Sequence, residues 1–419
     1  MQEITIKDNI TLRYIADNKF KTTTLCMYIH RPLNAEDAAK NALIPMVLKR
    51  GCAGYPTFSD IEIRLQELYG ASLNTRIGKK GEDQILCFEA QSIADKYTPD
   101  SSKILPDLAD LMLKMALCPA VEDGAFNSEY VEGEKQNLAD MIDALQNDKQ
   151  SYAMWRCYEE MCKAEAYGIH EYGSKASLAD ITPKNLCKYY TDMLKTSRID
   201  IFVCGDADID ALQKQIEAAF CGIDTVAAEY PTSQFAPARA DMQLVTDTFD
   251  SNQAKLSLGL RTNTDPNSAE YYHLQVANSI LGSGAHSKLF NNVREKLSLA
   301  YYALSRLDKL KGTMLIAMGI EEGNYQKALD ETLLQLENLK SGDVSDYEYT
   351  ASKAFLINTA QSYKDSQYAM IDFCLSSVIH SAADAGDIDA FCRKIANTTL
   401  EQAVAAAQCI TPDTIYFLR

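Results

Sequence analysis

The feature of this sequence that most restricts its fold is an internal repeat with an offset of 229 residues (297 − 68). Residues 68–73 (LYGASL) align with residues 297–302 (LSLAYY), and residues 84–89 then fall close to residues 314–319. Solenoid repeats recur every ~20–50 residues, so a much longer offset indicates two copies of one domain. A chain of 419 residues is long enough for two such domains.

The residue pattern predicts a similar order of elements in both copies. Alternating and β-branched residues predict strands at 4–6, 11–16, 22–29, 72–77, 84–90 and 200–204, and then at 254–260, 300–306 and 313–319. Helical periodicity predicts helices at 34–50, 58–69, 104–117, 127–163 and 183–194, and then at 268–281, 287–297, 325–341 and 346–366. We therefore expect an α+β protein of two tandem homologous domains, 1–221 and 245–419, each an antiparallel sheet with helices packed on one face.

Local signals refine these boundaries. Residues 222–244 contain prolines and few large apolar side chains, which predicts a linker between the two domains. Pro45 lies inside the first predicted helix, so the helix should kink or restart there. Ser59 and Glu62 have the spacing of a capping box at the start of the second helix, and Gly70 is placed to end it.

Charge and composition argue against several classes of function. The chain has 41 basic and 58 acidic residues, and its net charge of −17 argues against nucleic acids and anionic membrane surfaces, which require a basic footprint. Its apolar runs are shorter than the ~18 residues that a membrane span needs. Residues 1–9 alternate like a strand and not like a signal peptide, and the cysteines lie mostly in apolar runs without a C-x-x-C pair. We therefore expect a cytoplasmic protein.

One segment of the second copy, residues 281–302 (LGSGAHSKLFNNVREKLSLAYY), carries side chains of types that take part in catalysis. Arg294 and Tyr301 are seven residues apart, and a fixed cation with a phenolic donor can stabilise a developing oxyanion. The alternative is structural: Arg294 would cap the end of its short helix and Tyr301 would pack in the sheet.

This segment resembles the second-domain signature of the pitrilysin, insulinase and mitochondrial processing peptidase family. That signature is a turn of small residues followed by Ser-Arg-Leu-Phe and Arg-Glu-Lys-Arg-Gly-Leu-Ala-Tyr. The matching positions are Gly282, Ser287, Leu289, Phe290, Arg294, Glu295, Lys296, Leu299, Ala300 and Tyr301. The resemblance implies a metallopeptidase half-shell in which Arg294 and Tyr301 contact substrate and the transition state across a cavity from a zinc ion.

The first copy should then carry the family's inverted zinc motif, H-x-x-E-H, whose histidines bind zinc and whose glutamate acts as general base. The matching stretch is residues 42–52 (ALIPMVLKRGC), with its register set by Leu48 and Gly51. The two histidine positions fall on Ala42 and Met46, and the general base falls on Pro45.

The third zinc ligand, a glutamate on a later helix, falls on Met141, although a second family glutamate is retained as Glu134. Alanine and proline side chains are not metal donors, and methionine is a soft, weak one. The five histidines are scattered along the sequence, and His170 is expected to pack in a loop. We therefore expect this chain to bind no metal and to be an inactive peptidase homologue by itself.

The resemblance implies a non-catalytic subunit of a heterodimeric zinc processing peptidase. Such a subunit closes the peptide chamber and supplies Arg294 and Tyr301 to the zinc site of a homologous partner that has the intact inverted motif. The zinc would belong to the partner, and the substrate would be a peptide or an unfolded protein. A homodimer is possible if the chain occurs alone.

Two other functions stay open on the sequence. The chain could be a catalytically silent scaffold or peptide-binding protein of the same fold, as are the respiratory-chain core subunits. Residues 70–75 resemble the family's edge strand for peptide addition, although Lys79 and Lys80 could simply protect an ordinary sheet edge. An enzyme with unrelated chemistry is disfavoured by the sequence, which contains no phosphate-loop or dinucleotide motif.

Overall fold

The computed structural model describes residues 1–99, 102–249, 253–381 and 386–419. It divides into two compact units, and each unit combines two stretches of the chain. Unit 1 comprises Met1–Asp143 and Ile169–Thr232, and unit 2 comprises Ala144–Gly168 and Ser233–Arg419. These units differ from the domains expected from the sequence because residues 144–168 lie with unit 2 and the linker 222–244 is divided between the units.

The elements are numbered along the chain. The strands are β1 Gln2–Lys7, β2 Ile10–Ala16, β3 Thr22–Pro32, β4 Ser72–Lys80, β5 Asp83–Ile93, β6 Val121–Glu122, β7 Ala125–Phe126, β8 Arg198–Gly205, β9 Gln243–Asp247, β10 Ala254–Arg261, β11 Ala300–Asp308, β12 Thr313–Ile320 and β13 Thr411–Leu418. The helices are α1 Ala38–Leu48, α2 Phe58–Glu67, α3 Ile104–Leu117, α4 Ser128–Ala144, α5 Lys149–Met161, α6 Lys175–Leu178, α7 Pro183–Thr196, α8 Ile209–Phe220, α9 Ala269–Gly282, α10 Tyr325–Ser341, α11 Asp346–Ser362, α12 Gln367–Ile379, α13 Ile388–Asn397 and α14 Leu400–Ala407. A π-helix covers Leu289–Lys296.

Unit 1 is built on a six-stranded sheet in the order β1-β2-β8-β3-β5-β4. Its helices cover one face, because alternate residues of β3 such as Leu25, Met27 and Ile29 join the hydrophobic core with α1 and α3. The predicted α+β architecture is confirmed. The sheet is mixed and not wholly antiparallel, however, because β2 and β8 run parallel. A chain that returns to its first strands through a long helical connection can pair with them in the parallel sense.

Unit 2 repeats this plan with a five-stranded sheet in the order β11-β12-β10-β13-β9, in which β13 and β9 are parallel. One face packs on α9, α10 and α14. Helix α5 covers the opposite face, where Ala153 and Cys157 pack with Leu315, Tyr416 and Leu418. The predicted single helix 127–163 is therefore wrong. Its sequence breaks between α4 and α5, where the Asp148 carboxylate accepts the first backbone N–H groups of α5.

The repeat also appears in the backbone conformation. Strands β4-β5-β3-β8 of unit 1 occur in the same order as strands β11-β12-β10-β13 of unit 2. A residue with a left-handed backbone conformation precedes each edge strand, at a corner of the chain. It is Tyr69 with φ 58° in unit 1 and Ser298 with φ 50° in unit 2. These two positions are 229 residues apart (298 − 69), as in the sequence repeat. Each unit therefore has one non-glycine left-handed residue at this corner, and unit 1 adds a second left-handed residue, Gly70 with φ 72°.

Candidate functional site

Helix α1 carries three of the positions that the sequence analysis matched with the zinc motif. It runs without interruption from Ala38 to Leu48 and contains Pro45, so the predicted restart at this proline is wrong. Proline removes one helical hydrogen bond, but α1 is buried in the core on most of its surface. The edge strand also supports it, because Thr75 Oγ1 of β4 donates a hydrogen bond to the carbonyl oxygen of Pro45 at 2.9 Å.

A cavity of about 390 Å³ lies between α1, α4 and β4 in unit 1. The structure brings the four positions singled out in the sequence, Ala42, Pro45, Met46 and Met141, together in its wall. The remaining lining residues are Lys49, Arg50, Phe58, Thr75, Arg76, Ile77, Glu134, Leu138 and Tyr172. The four positions expected to match the zinc site thus line an open, mainly apolar pocket.

The donor set of this cavity does not fit zinc. Two of the expected ligand positions carry thioethers and one carries a methyl group, none of which is a good zinc donor. The carboxylate of Glu134 is engaged in an ion pair with the partly exposed Arg50 and accepts a hydrogen bond from Asn137 Nδ2 at 3.0 Å. Among the residues that the structure describes, no group of three or more His, Cys, Asp or Glu side chains could hold a metal ion.

The polar groups around the cavity are mainly cationic. The Arg76 guanidinium forms hydrogen bonds with the Glu89 carboxylate at 2.6 and 3.2 Å. Burial lowers the pKa of Arg76, but the hydrogen bond to Glu89 and neighbouring charges raise that pKa above its ordinary value, so the side chain stays charged. Lys49 Nζ lies 5.5 Å from the centre of the Phe58 ring. Glu134 is the one carboxylate in the described lining, and Arg50 neutralises it.

The predicted substrate-facing pair, Arg294 and Tyr301, lies in unit 2 and is exposed. The Arg294 side chain is 41% exposed, and its guanidinium carbon lies 4.6 Å from the centre of the Phe290 ring. Tyr301 is 53% exposed, and its hydroxyl donates to Glu321 Oε1 at 3.3 Å. Tyr301 therefore does not pack within the sheet as the structural alternative requires. The chemical role of the pair stays a prediction.

Arg294 lies on a helix whose geometry the sequence did not predict. The expected short helix at 287–297 is a π-helix, and the backbone N–H of Leu297 donates to the carbonyl of Asn292, five residues earlier, at 3.2 Å. Ser298 follows in the left-handed region. Short π-helical segments are rare and are frequent at functional sites. No pattern of side chains distinguishes this geometry from an α-helix in advance.

Sequence reasoning missed a buried ionic network on the far face of the unit 1 sheet. His30 Nδ1 lies 2.5 Å from Asp83 Oδ2, and His30 Nε2 lies 3.2 Å from Asp200 Oδ2. Arg13 and the Tyr230 hydroxyl also bind Asp200. Burial lowers the pKa of His30, but the two carboxylates more than compensate and raise it to about 9. The sequence feature that could have predicted this network is one charged or histidine side chain in each of four strands, at positions that point away from the helices.

His170 is a loop-packing residue, as expected. Its ring lies 4.7 Å from the ring of Tyr172, and its Nδ1 accepts the backbone N–H of Tyr172 at 3.1 Å. Burial lowers the pKa of His170 and favours the neutral imidazole. The histidine thus fixes the loop that presents Tyr172 to the cavity.

Comparisons with known proteins agree with this geometry. Residues 180–356 match the family model described as "Peptidase M16 inactive domain". The chain is 33% identical over 410 residues, 98% of its length and 96% of the relative's, to a probable inactive metalloprotease, YmfF, of Bacillus subtilis. It is 24% identical over 273 residues, 62% of each chain, to an uncharacterized zinc protease, YmxG, of the same species. A conserved protein of Enterococcus faecalis superimposes with a TM-score of 0.89 at 28% identity, covering 100% of this chain and 98% of that one.

The fold, the altered zinc positions and the full-length relative define the class of protein. This chain belongs to the M16 peptidase family, and the relative that it matches over 98% of its length is described as a probable inactive metalloprotease. A search of the described residues found no helix long and apolar enough to cross a membrane.

Proposed function

We propose that this chain is the non-catalytic subunit of a heterodimeric zinc processing peptidase, closing the peptide chamber and supplying Arg294 and Tyr301 to the partner's zinc site. The observation that carries the proposal is the exposed pair on and beside the π-helix of unit 2. Both side chains are exposed and bury little apolar surface, so stability alone does not account for them.

The chemistry assigned to the pair is electrostatic. Arg294 is a fixed cation, and Tyr301 holds an O–H donor that reaches the exposed carboxylate of Glu321 at 3.3 Å. A hydrogen bond of that length to an exposed acceptor is weak, so the phenol can be redirected to a substrate carbonyl. Two such groups stabilise negative charge that develops on that oxygen while the partner's zinc activates water.

The proposed partner is a homologous subunit with an intact inverted zinc motif, and the substrate is an unfolded peptide. The similarity of this chain to both an inactive metalloprotease and a zinc protease of Bacillus subtilis supports such a pairing, since one species carries both types. A cytoplasmic location is part of the proposal. It is supported by nine cysteines buried as small apolar side chains, which is typical of proteins in reducing compartments.

The test is a peptidase assay of the reconstituted pair. Arg294→Ala and Tyr301→Phe should each lower kcat about 10²-fold or more, the effect of losing one oxyanion donor, while assembly stays intact. Arg393→Ala and Tyr347→Phe are matched controls, because Arg393 and Tyr347 are comparably exposed in unit 2 and lie outside the pair. Unchanged rates for both test variants would remove the active-site role and leave the scaffold function.

The second candidate is a catalytically silent scaffold or peptide-binding protein, which could also act as a homodimer. The cavity in unit 1 favours it, because its mainly apolar lining offers contacts for a peptide side chain and no cluster of metal donors among the described residues. Co-purification from the native host separates the two candidates. Recovery of a zinc-containing homologue supports the peptidase, and recovery of this chain alone as a dimer supports the scaffold.

A further inference from the structure

We infer that Tyr302 and Gly319 are positioning residues for Tyr301. The ring of Tyr302 lies across β12 because residue 319 has no side chain, and this packing holds a β-bulge that turns Tyr301 outward. The inference rests on the proposed function for the part that Tyr301 plays in turnover. The placement of the Tyr301 ring is a property of this chain alone and is measured without a partner.

The bulge lies at the start of the edge strand β11. Ala300 pairs with Ile320 and Tyr302 pairs with Gly319, so Tyr301 is an extra residue without a partner in the ladder. A β-bulge disrupts the ladder locally and redirects side chains, and bulges are frequent next to active sites. The edge strand β4 of unit 1 has no such shift in its pairing with β5. The bulge therefore belongs to the copy that presents an exposed tyrosine.

The bulge decides which way consecutive side chains of β11 point. In a regular strand the side chains alternate between two faces, so residues three apart point to opposite faces. Ala300 and Ala303 are three apart, yet both lie in the core on the helix side of the sheet. Tyr302 packs against the apolar cluster on the opposite face. Tyr301 is left outside this alternation, and its hydroxyl reaches Glu321 beyond the end of β12.

Gly319 makes room for the Tyr302 ring. A Cβ atom at residue 319 would lie 2.5 Å from Cε1 and 2.9 Å from Cδ1 of Tyr302, which is closer than van der Waals contact. The ring therefore lies directly on the β12 backbone, and Lys255 Nζ of the neighbouring strand β10 lies 5.6 Å from the ring centre. A cation at that distance from an aromatic ring is attracted to it. Any larger residue at position 319 would push the ring away and remove the packing that favours the bulged register.

The core on the helix side excludes the regular register. If Tyr301 took a place in the ladder, Tyr302 would turn to the helix side, where Met318 and Ile320 are fully buried. A closely packed core has no room for an additional aromatic ring. The Tyr302 ring therefore stays on its face only while Tyr301 stays outside the ladder.

The first experiment observes the Tyr301 ring in the isolated chain. The protein is labelled with fluorotyrosine, and the fluorine NMR signal of Tyr301 is identified by its loss in Tyr301→Phe. Gly319→Ala should move this signal by more than its line width, because the added methyl group displaces the Tyr302 ring. Tyr302→Ala should move it as well without adding an atom, so it tests the inference even if Gly319→Ala does not fold. Tyr302→Phe keeps the ring and should leave the signal in place.

Gly259→Ala is the matched control. Gly259 lies on the same face of the same sheet, and a Cβ atom there would lie 2.8 Å from Met161 Sδ, so this substitution crowds α5 and not Tyr302. It should lower stability as Gly319→Ala does, whereas the Tyr301 signal should not move. Circular dichroism and urea denaturation establish that each variant is folded.

The second experiment measures turnover by the reconstituted pair. Gly319→Ala should lower kcat about tenfold or more with little change in KM, because a misplaced donor loses its contact with the transition state and not substrate affinity. Tyr302→Phe and Gly259→Ala should retain kcat. A loss of stability alone would not separate the two glycine variants in this way.

An unmoved Tyr301 signal in folded Gly319→Ala and Tyr302→Ala, or an equal shift in Gly259→Ala, would overturn the inference. A shifted signal together with unchanged turnover in Tyr301→Phe would overturn the proposed function and support the positioning of the ring. A lower kcat in Tyr301→Phe with an unmoved signal in Gly319→Ala would do the reverse.

Discussion

The two units share a strand order and a left-handed corner, but they use the region around that corner differently. In unit 1 an ordinary capped helix, α2, precedes the corner, and the neighbouring cavity is lined by apolar side chains. In unit 2 a π-helix precedes the corner, and Arg294 and Tyr301 stay exposed around it. The difference teaches that one backbone plan can carry an apolar cavity beside the corner in one copy and an exposed arginine and tyrosine around it in the other.

The opposite faces of the two sheets differ as well. In unit 2 the apolar side of α5 covers this face, and Gly259 makes room for it, since a Cβ there would lie 2.8 Å from Met161 Sδ. In unit 1 the face is occupied by buried charges around His30 and Asp200. Unit 2 therefore combines the apolar contact of α5 with buried ion pairs that Arg261 and Lys311 form with Glu165. The corresponding face of unit 1 carries the network around His30 and Asp200.

The largest expected effect comes from introducing zinc-binding side chains at the four cavity positions of unit 1. A variant with Ala42→His, Pro45→Glu, Met46→His and Met141→Glu should retain about one zinc ion per chain after gel filtration, whereas the natural chain should retain none. The cavity gives these side chains space, and two imidazoles with a carboxylate form a regular zinc site. Elemental analysis measures the metal. The control with only Ala42→His and Met46→His should lose zinc to chelator more readily, and a folded quadruple variant without zinc would mean that the backbone has also diverged.

The next largest effect concerns the ionic network of unit 1. Asp200→Asn should lower the free energy of unfolding by about 3–5 kcal/mol, because it leaves the buried cations Arg13 and His30 without their shared anion. Glu3 also pairs with Arg13 but is 56% exposed, so Glu3→Gln should cost less than about 1 kcal/mol. Urea denaturation measures both. Similar losses in the two variants would contradict the role assigned to the buried network.

A smaller effect is expected from pH. The pKa of His30 is raised to about 9, from an ordinary value near 6.5, because Asp83 and Asp200 favour its protonated form. Its stabilising contribution is therefore complete below pH ~6.5, and about 3 kcal/mol is lost as the pH rises through about 9. Urea midpoints between pH 7 and 10 should fall for the natural chain and change less in His30→Gln. Parallel curves for both proteins would exclude His30 as the titrating group.

The smallest effect tests whether the two corners are equivalent. Ser298 and Tyr69 occupy the left-handed region, where a non-glycine residue costs about 1–2 kcal/mol. After the extra entropy of glycine is subtracted, Ser298→Gly should stabilise by roughly 0.5–1 kcal/mol, and Tyr69→Gly by less, since it also loses ring contacts. Glu337→Gly, an exposed position within α10, should instead destabilise by about 1 kcal/mol. A destabilised Ser298→Gly would contradict the equivalence.

Local residue patterns predicted which helices are present better than they predicted where each helix begins and ends. The second helix was found, but its capping box is formed by Thr57 and Asp60 and not by Ser59 and Glu62. Both pairs have the required spacing, and only the path of the incoming chain selects between them. The break between α4 and α5 was missed for a related reason: helical periodicity continues across Asp148 although the two helices belong to different units.

The sequence by itself determined the repeat, the α+β class and the lack of an H-x-x-E-H motif, because these depend on residue identity and spacing along the chain. Only the tertiary structure decided that Ala42, Pro45, Met46 and Met141 enclose one cavity, that Tyr301 is exposed, and that His30 lies between two carboxylates. Volumes, exposure and buried charge pairs arise from contacts between residues distant in sequence. No local pattern of side chains encodes those contacts, since they form only when the strands and helices pack.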